Sequence, residues 1–365
     1  MNILLLGEYS NVHHTLAEGL RALGHSVTVV SNGDFWKDYP RDINLARTTG
    51  KWGGIAYMAR LYALLPRLCG YDVVQLINPM FLELRAERIF PIYRYLRRHN
   101  GRVFLGAFGM DYYWVHTCCH NRPFRYSDFN IGETLRTDAD AMNERHDWIG
   151  TSKERLNRYV AEDCDGIIAG LYEYWACYHP NFPNKTCFIP FPLRLPEHPF
   201  VPYDKNRRLR LFIGINRSRN AYKGTDILLE VARETASRHP DSIELIVAEN
   251  VPFVQYEQMM DKADVLLDQL YSYTPSMNTL LAMSKGIVCV GGGEPENYEI
   301  LGEDELRPII NVLPYKESVC EALERLATGK VDIARLQQQS IEYVNRHHDY
   351  LKVAQTYLDF YQSKM

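Results

Sequence analysis

Unbroken apolar runs alternate along this chain with amphipathic stretches of helical period. "NILLLG" (2–7) is a continuous apolar run closed by a glycine, the pattern of a strand buried on both faces of a parallel sheet. "VHHTLAEGLRALG" follows, with Leu16, Leu20 and Leu23 on one helical face and Gly24 placed to end the helix. "SVTVV" (26–30) is the next strand, and further strands are predicted at 72–77, 102–108 and 166–170. Between 180 and 202 the texture changes: Pro180, Pro183, Pro190, Pro192, Pro196, Pro199 and Pro202 exclude a helix or a central strand and read as a connector.

A second alternating series begins after the prolines. Strands are predicted at 208–215, 243–249, 263–269 and 286–293, with a helix over 225–239 carrying Ile227, Leu228, Val231 and Thr235 on one side. Such alternation predicts parallel sheets covered by helices, in two similar α/β halves. The last stretch, "LKVAQTYLDFYQSKM", places Leu351, Ala354, Leu358 and Tyr361 on one face and needs a surface to pack against.

Composition narrows the function classes. The chain has 365 residues, room for two domains, and a formal net charge of −4, which argues against nucleic acid as a partner. Eight cysteines occur without a C-x-x-C pair, so reduced thiols are expected rather than a zinc site. Met1 runs directly into a strand with no basic stretch before it, and no apolar run has the length of a membrane span. These features lead us to expect a cytoplasmic protein, with contact to the inner face of a membrane left open.

Against that acidic total, "NRSRNAYKGTD" (216–226) stands out, because Arg217, Arg219 and Lys223 share one strand-to-helix junction. Ligands of open α/β sheets bind at the carboxyl ends of strands. A helix start offers free N–H groups to phosphate, Arg and Lys add full charge, and Gly224 lets backbone approach closely. Thr225 is the expected N-cap, and a diphosphate is the natural guest; a solvated basic turn is the alternative. "GGGEPE" (291–296) follows another predicted strand, so Gly292, Gly293, Glu294 and Glu296 fall on the same edge, where the carboxylates suit ribose or sugar hydroxyls. "YTPSMNTLLAMSKG" (273–286) predicts a helix starting at Pro275–Ser276, with Asn278 in its first turn. In the first half, His13 and His14 open a helix after Gly7, and Asp111 in "GMDYYW" follows the strand at 102–108. "DAD" (138–140) has no evident partner ligands and is not read as a metal site.

Taken in order, "LFIGINRSRNAYKGTDILLEVA", "LLAMSKGIVCVGG" and "GGEPE", with "LAEGLRALGHSVTVVS" and "DCDGIIAGLYEYWACY" before them, resemble the GT-B glycosyltransferases, most closely the retaining family 4 type. The resemblance covers nearly all of the chain. It implies an α/β GT-B architecture: a first Rossmann-like domain over 1–190 on the acceptor side, joined by the terminal helix 351–365; a linker at 191–206; and a donor domain over 207–350, the two domains facing a central cleft. It further implies transfer of a sugar, with retention, from a nucleotide diphosphate sugar to a glycan, lipid-linked or small-molecule acceptor. The nucleotide sugar is then a co-substrate, and neither a metal nor a resident cofactor is needed.

Carried over by position, Lys223 with Arg217 or Arg219 holds the diphosphate as charge builds on the leaving group. Gly7, Gly224, Gly292, Gly293 and Glu296 join the donor contacts. His13, His14 or Asp111 orient the reacting centre. One departure stands out. The family's two glutamates, with seven residues between them, are Tyr273 and Leu281 here, so Glu294, Asn278 and Glu299 are the candidates to replace them. That departure supports a second reading, a degenerate GT-B protein that binds nucleotide or sugar without turnover. An NAD-dependent enzyme is a third: Asp34 stands after the second strand, but "GEYSNVHH" lacks the G-x-G-x-x-G that admits a dinucleotide.

Overall fold

The computed structural model describes residues 1–50, 52–196 and 200–365, with backbone alone for Trp36 and Ser218. In chain order the strands begin with β1 (Asn2–Leu6), β2 (Ser26–Ser31), β3 (Ile43–Asn44), β4 (Val73–Leu76) and β5 (Arg102–Ala107). A two-stranded antiparallel hairpin, β6 (Asn130–Ile131) and β7 (Thr134–Leu135), precedes β8 (Gly166–Ala169) and β9 (Thr186–Phe188). The second half adds β10 (Leu209–Ile215), β11 (Ile243–Glu249), β12 (Val265–Leu267), β13 (Val288–Gly291) and β14 (Ile310–Asn311).

Two parallel sheets result. One has the order β3-β2-β1-β4-β5-β8-β9 and the other β11-β10-β12-β13-β14. In both, the first strand of the series is internal and the order reverses beside it, the place where such sheets open a crevice at the carboxyl ends of the strands. The reversal lies between β1 and β4 in the first sheet and between β10 and β12 in the second. The internal strands β4, β8, β12 and β13 are buried at every residue, which is why β8, β12 and β13 read as unbroken apolar runs and β4 as one interrupted only by Gln75.

The strands that periodicity missed are short. β3, β14 and the hairpin strands have two residues each. β9 hides inside the proline-rich stretch, between Pro183 and Pro190, and as an edge strand it tolerates such neighbours. The Glu197–Pro199 part of the expected linker lies outside the described residues.

The chain divides into two compact units. Unit 1 comprises Met1–Thr117, Glu144–Arg194 and Asp349–Met365; unit 2 comprises Cys118–Asn143 and Leu195–His348. The expected first domain of 1–190 is therefore interrupted, because an excursion of the first half, Cys118–Asn143, belongs with the second. The terminal helix Tyr350–Ser363 belongs to unit 1, where it crosses the helix Val12–Ala22. A Cβ at Gly19 would lie 2.7 Å from that of Ala354, so only glycine permits this approach. Its buried face is Val353, Ala354, Tyr357, Leu358 and Tyr361, whereas Leu351 of the expected stripe is exposed. The Tyr361 ring packs 4.7 Å from that of Phe104 on β5.

All eight cysteines are free. No helix among the described residues is long and apolar enough to cross a membrane.

Candidate functional site in the second unit

Unit 2 gathers the loops after β10, β12 and β13 at one sheet edge, and hydrogen bonds stitch them together. The Leu270 N–H donates to the Lys223 carbonyl at 3.0 Å, and the Glu294 N–H to the Tyr273 carbonyl at 3.0 Å. Glycines make this packing feasible. A Cβ at Gly292 would lie 2.2 Å from the Ser272 carbonyl oxygen, and one at Gly293 2.8 Å from Ile309. The Gly293 N–H donates to Asn311 Oδ1 at 2.9 Å. Close loop packing, then, accounts for these two glycines without a ligand.

The basic junction is more ordered than a loop. Arg217–Arg219 form a 3-10 turn and Asn220–Lys223 a short helix, after which the long helix Thr225–Arg238 starts. Gly224, at φ 72°, occupies the N-cap position in the left-handed region. Thr225, the expected N-cap, is the first helical residue instead, and its hydroxyl donates to Asn220 Oδ1 at 3.2 Å. A Cβ at Gly224 would also meet Leu270 at 2.9 Å.

The three cations differ. Arg217 is exposed and ion-paired with Glu249 at the end of β11, so its charge is answered within the protein. Arg219 is exposed, its guanidinium 4.9 Å from the centre of the Tyr222 ring. Lys223 is exposed and its ammonium forms no ion pair among the described residues.

The acidic turn is arranged by residues that sequence reasoning passed over. The side chain of Glu294, buried at the N-cap position of the helix Pro295–Leu301, accepts from the Tyr126 hydroxyl at 2.5 Å and from Arg125 Nη2 at 2.8 Å. Arg125 also grips Glu296, Nη1 to Oε1 at 2.6 Å and Nη2 to Oε2 at 3.0 Å. Burial pushes the Glu296 carboxyl up, but the Arg125 fork outweighs it and leaves the group below the usual carboxylate range. The Arg125 N–H donates to the Tyr273 hydroxyl at 2.6 Å, and its guanidinium lies 4.8 Å from the centre of that ring. Tyr273 is buried between Phe124 and Tyr126, and burial pushes its hydroxyl up to about 12. It is part of the packing at the position where the sequence resemblance implies an acid.

The rest of the excursion Cys118–Asn143 clasps the basic junction. The buried Arg136 guanidinium donates to the carbonyls of Ala221 at 2.6 Å and Tyr222 at 3.0 Å and stacks 3.5 Å from the centre of the Tyr271 ring. Asp138 of the D-x-D pairs with Arg136 at 3.2 Å and caps the helix that follows, so its carboxylate has structural work. No group of three or more His, Cys, Asp or Glu side chains among the described residues could hold a metal ion. Asn278 lies in the first turn of the helix Met277–Ser284, which Ser276 caps as expected, and its amide donates to the Tyr256 hydroxyl at 2.9 Å. Glu299 is exposed further along Pro295–Leu301 and takes no part in this network.

At the corresponding edge of the first sheet the candidate side chains His13 and Asp111 are buried. Gly7, at φ 85°, leaves no room for a Cβ, which would lie 2.2 Å from Ile77 Cγ2. His13 is fully buried, and its Nδ1 donates to the Gly7 carbonyl at 2.8 Å. Burial drops its pKa to about 3, so the ring is neutral. Glu8, also buried, accepts from the backbone N–H groups of His13 at 3.2 Å and His14 at 2.8 Å, and burial lifts its carboxyl to about 8. Asp111 caps the helix Tyr112–His116 through the Trp114 N–H at 2.9 Å and accepts from the Tyr178 hydroxyl at 2.7 Å, with burial lifting it to about 7. Asp34 is held by Lys37 at 2.6 Å and by the Ser10 N–H at 2.9 Å. The structure thus gives His13 and Asp111, expected to orient a reacting centre, enclosed structural positions.

No protein-family model matches the chain, and no curated protein matches it. Solved structures do. The sucrose-phosphate synthase of Thermosynechococcus elongatus is similar with a TM-score of 0.65 at 12% identity, over 100% of this chain and 99% of that one. HepE of Anabaena, solved in complex with UDP and glucose, gives 0.61 at 11% identity over 100% of both chains. The lipopolysaccharide outer core galactosyltransferase WaaB gives 0.58 at 12% identity, again over 100% of both. The α/β GT-B fold expected from the sequence is the fold that this chain shares with these glycosyltransferases.

Proposed function

We propose that the chain is a glycosyltransferase whose donor, a nucleoside diphosphate sugar, binds at the carboxyl edge of the second sheet. One observation carries the reading: the order reversal between β10 and β12 is flanked by the Arg219–Lys223 helix start on one side and by the Glu294–Glu296 turn on the other. HepE, of the same fold, is solved with UDP and glucose. Breaking a glycosyl–phosphate bond builds negative charge on the diphosphate. Lys223, without an ion pair among the described residues, and Arg219, beside the Tyr222 ring, stabilise that charge. Arg217, already paired with Glu249, contributes less than the sequence suggested. Glu294 and Glu296 accept hydrogen bonds from sugar or ribose hydroxyls.

The same reading carries retention of configuration, no metal requirement, a glycan or lipid-linked acceptor, and a cytoplasmic location with contact to a membrane surface. A second reading keeps the donor site without turnover. It is favoured by Tyr273, which stands at the family's acidic position and is built into the packing.

A thermal-shift panel of UDP- and GDP-sugars, UDP, GDP and NAD tests the proposal. Stabilisation by a nucleoside diphosphate or its sugar is expected, and Lys223→Ala should weaken it about tenfold or more, the worth of one charge-assisted contact. Stabilisation by NAD alone rejects the proposal. Binding with neither transfer nor hydrolysis selects the second reading.

A further inference from the structure

We propose that the excursion Cys118–Asn143 is a strap built into the donor site, and that Arg125 is the residue positioning Glu294 and Glu296 for the donor's hydroxyls. This inference rests on the reading above. Its grounds are geometric. Arg125 is the only cation among the described residues that pairs with either carboxylate, and it reaches both with one planar fork. Tyr126, its neighbour, bonds the Glu294 oxygen that Arg125 leaves, so both oxygens of that buried carboxylate are fixed. The Arg125 backbone is fixed in turn by the Tyr273 hydroxyl.

Tyr273 and the strap therefore act as one unit. Where the family has an acid facing the donor, this chain has a phenol that anchors the strap, and the strap brings a cation that orients two other acids. Without Arg125, Glu294 and Glu296 are neighbouring like charges with no cation between them among the described residues, one of them buried, and they turn apart. The guanidinium is the group suited to this task, because a lysine ammonium is a point charge and does not reproduce the fork.

The strap leaves unit 1 after Thr117 and returns at Glu144. Its other arm holds the carbonyls of Ala221 and Tyr222, beside Lys223, through Arg136. One covalent segment thus supports both the phosphate side and the hydroxyl side of the proposed site.

The test is calorimetric titration of the full chain and its R125A, R125K and Y126F variants with UDP-glucose, GDP-mannose and pyrophosphate. Pyrophosphate carries the phosphates without ribose or sugar. R125A is expected to weaken nucleotide-sugar binding at least tenfold while pyrophosphate affinity changes less than twofold. R125K should lose about threefold to tenfold, and Y126F about threefold, with the same selectivity. A merely structural role would move both kinds of probe together, and that parallel loss overturns the proposal. So does nucleotide-sugar binding within twofold of the parent in all three variants. If R125A does not fold, R125K and Y126F decide by the same criteria. A parent chain that binds pyrophosphate but neither nucleotide sugar refutes the inference for these donors, and a parent that binds none of the probes refutes the donor reading itself.

Discussion

The carboxyl ends of the two sheets are built from similar parts and put them to different use. At the first, Glu8, His13 and Asp111 are buried, and their hydrogen bonds go to helix starts, to the Gly7 carbonyl and to Tyr178. At the second, Lys223 and Arg219 stay in solvent, and the buried Glu294 is held by a cation from outside its own half of the sequence. The contrast teaches that a polar residue after a parallel strand is not by itself a site. What separates the two edges is exposure of charge: Glu8, His13 and Asp111 are enclosed, whereas Lys223 and Arg219 reach solvent with no ion pair among the described residues.

The largest expected effect breaks the first edge. Asp111→Ala removes a helix cap and leaves the Tyr178 hydroxyl without its acceptor, which should destabilise unit 1 by about 2–4 kcal/mol in urea unfolding. Nucleotide affinity of the folded fraction should stay within twofold, since the donor loops belong to unit 2. A variant of parent stability would show that Asp111 is available for other work.

A second effect lies in pH. The Glu8 carboxyl is raised in the folded state, from 4.5 to about 8, so folding favours its protonated form. Stability from this group is therefore fully present below pH 4.5 and declines as pH rises toward 8. The backbone N–H groups of His13 and His14 and the nearby Asp34 carboxylate surround it and are common to both chains. Glu8→Gln should flatten the decline between pH 5 and pH 8 in unfolding measurements. Parallel pH profiles for the two chains would contradict the burial argument.

The smallest effect sharpens the second edge. Arg217 and Lys223 looked equivalent in sequence, but Arg217 is paired with Glu249. Arg217→Ala should change nucleoside diphosphate affinity less than threefold, against about tenfold or more for Lys223→Ala, with no resolvable change in the unfolding midpoint. Equal losses in the two variants would show that the pair with Glu249 opens for the ligand.

How much of this was legible in the sequence follows from what each feature depends on. Long buried strands and capped helices were, because β1, β10 and the Ser276 cap depend on local pattern. The basic junction and the acidic turn were placed on one edge because both follow strands of one sheet. The strap was not legible. Arg125 stands 169 residues before Glu294 and 171 before Glu296, and nothing local in "NRPFRYSDFN" announces a partner so distant. Nor does a spacing rule say that Tyr273 is an anchor rather than a lost acid; only the aromatic environment of Phe124 and Tyr126 does. The burial of His13 and Asp111 was equally hidden, since one pattern serves an open crevice and a filled one.

Amide hydrogen exchange of the full chain with and without a nucleoside diphosphate tests the central claim most directly. The account predicts added protection at 216–228, 270–276 and 292–297, with 7–14 and 109–114 unchanged. Protection confined to the two first-sheet segments would contradict it.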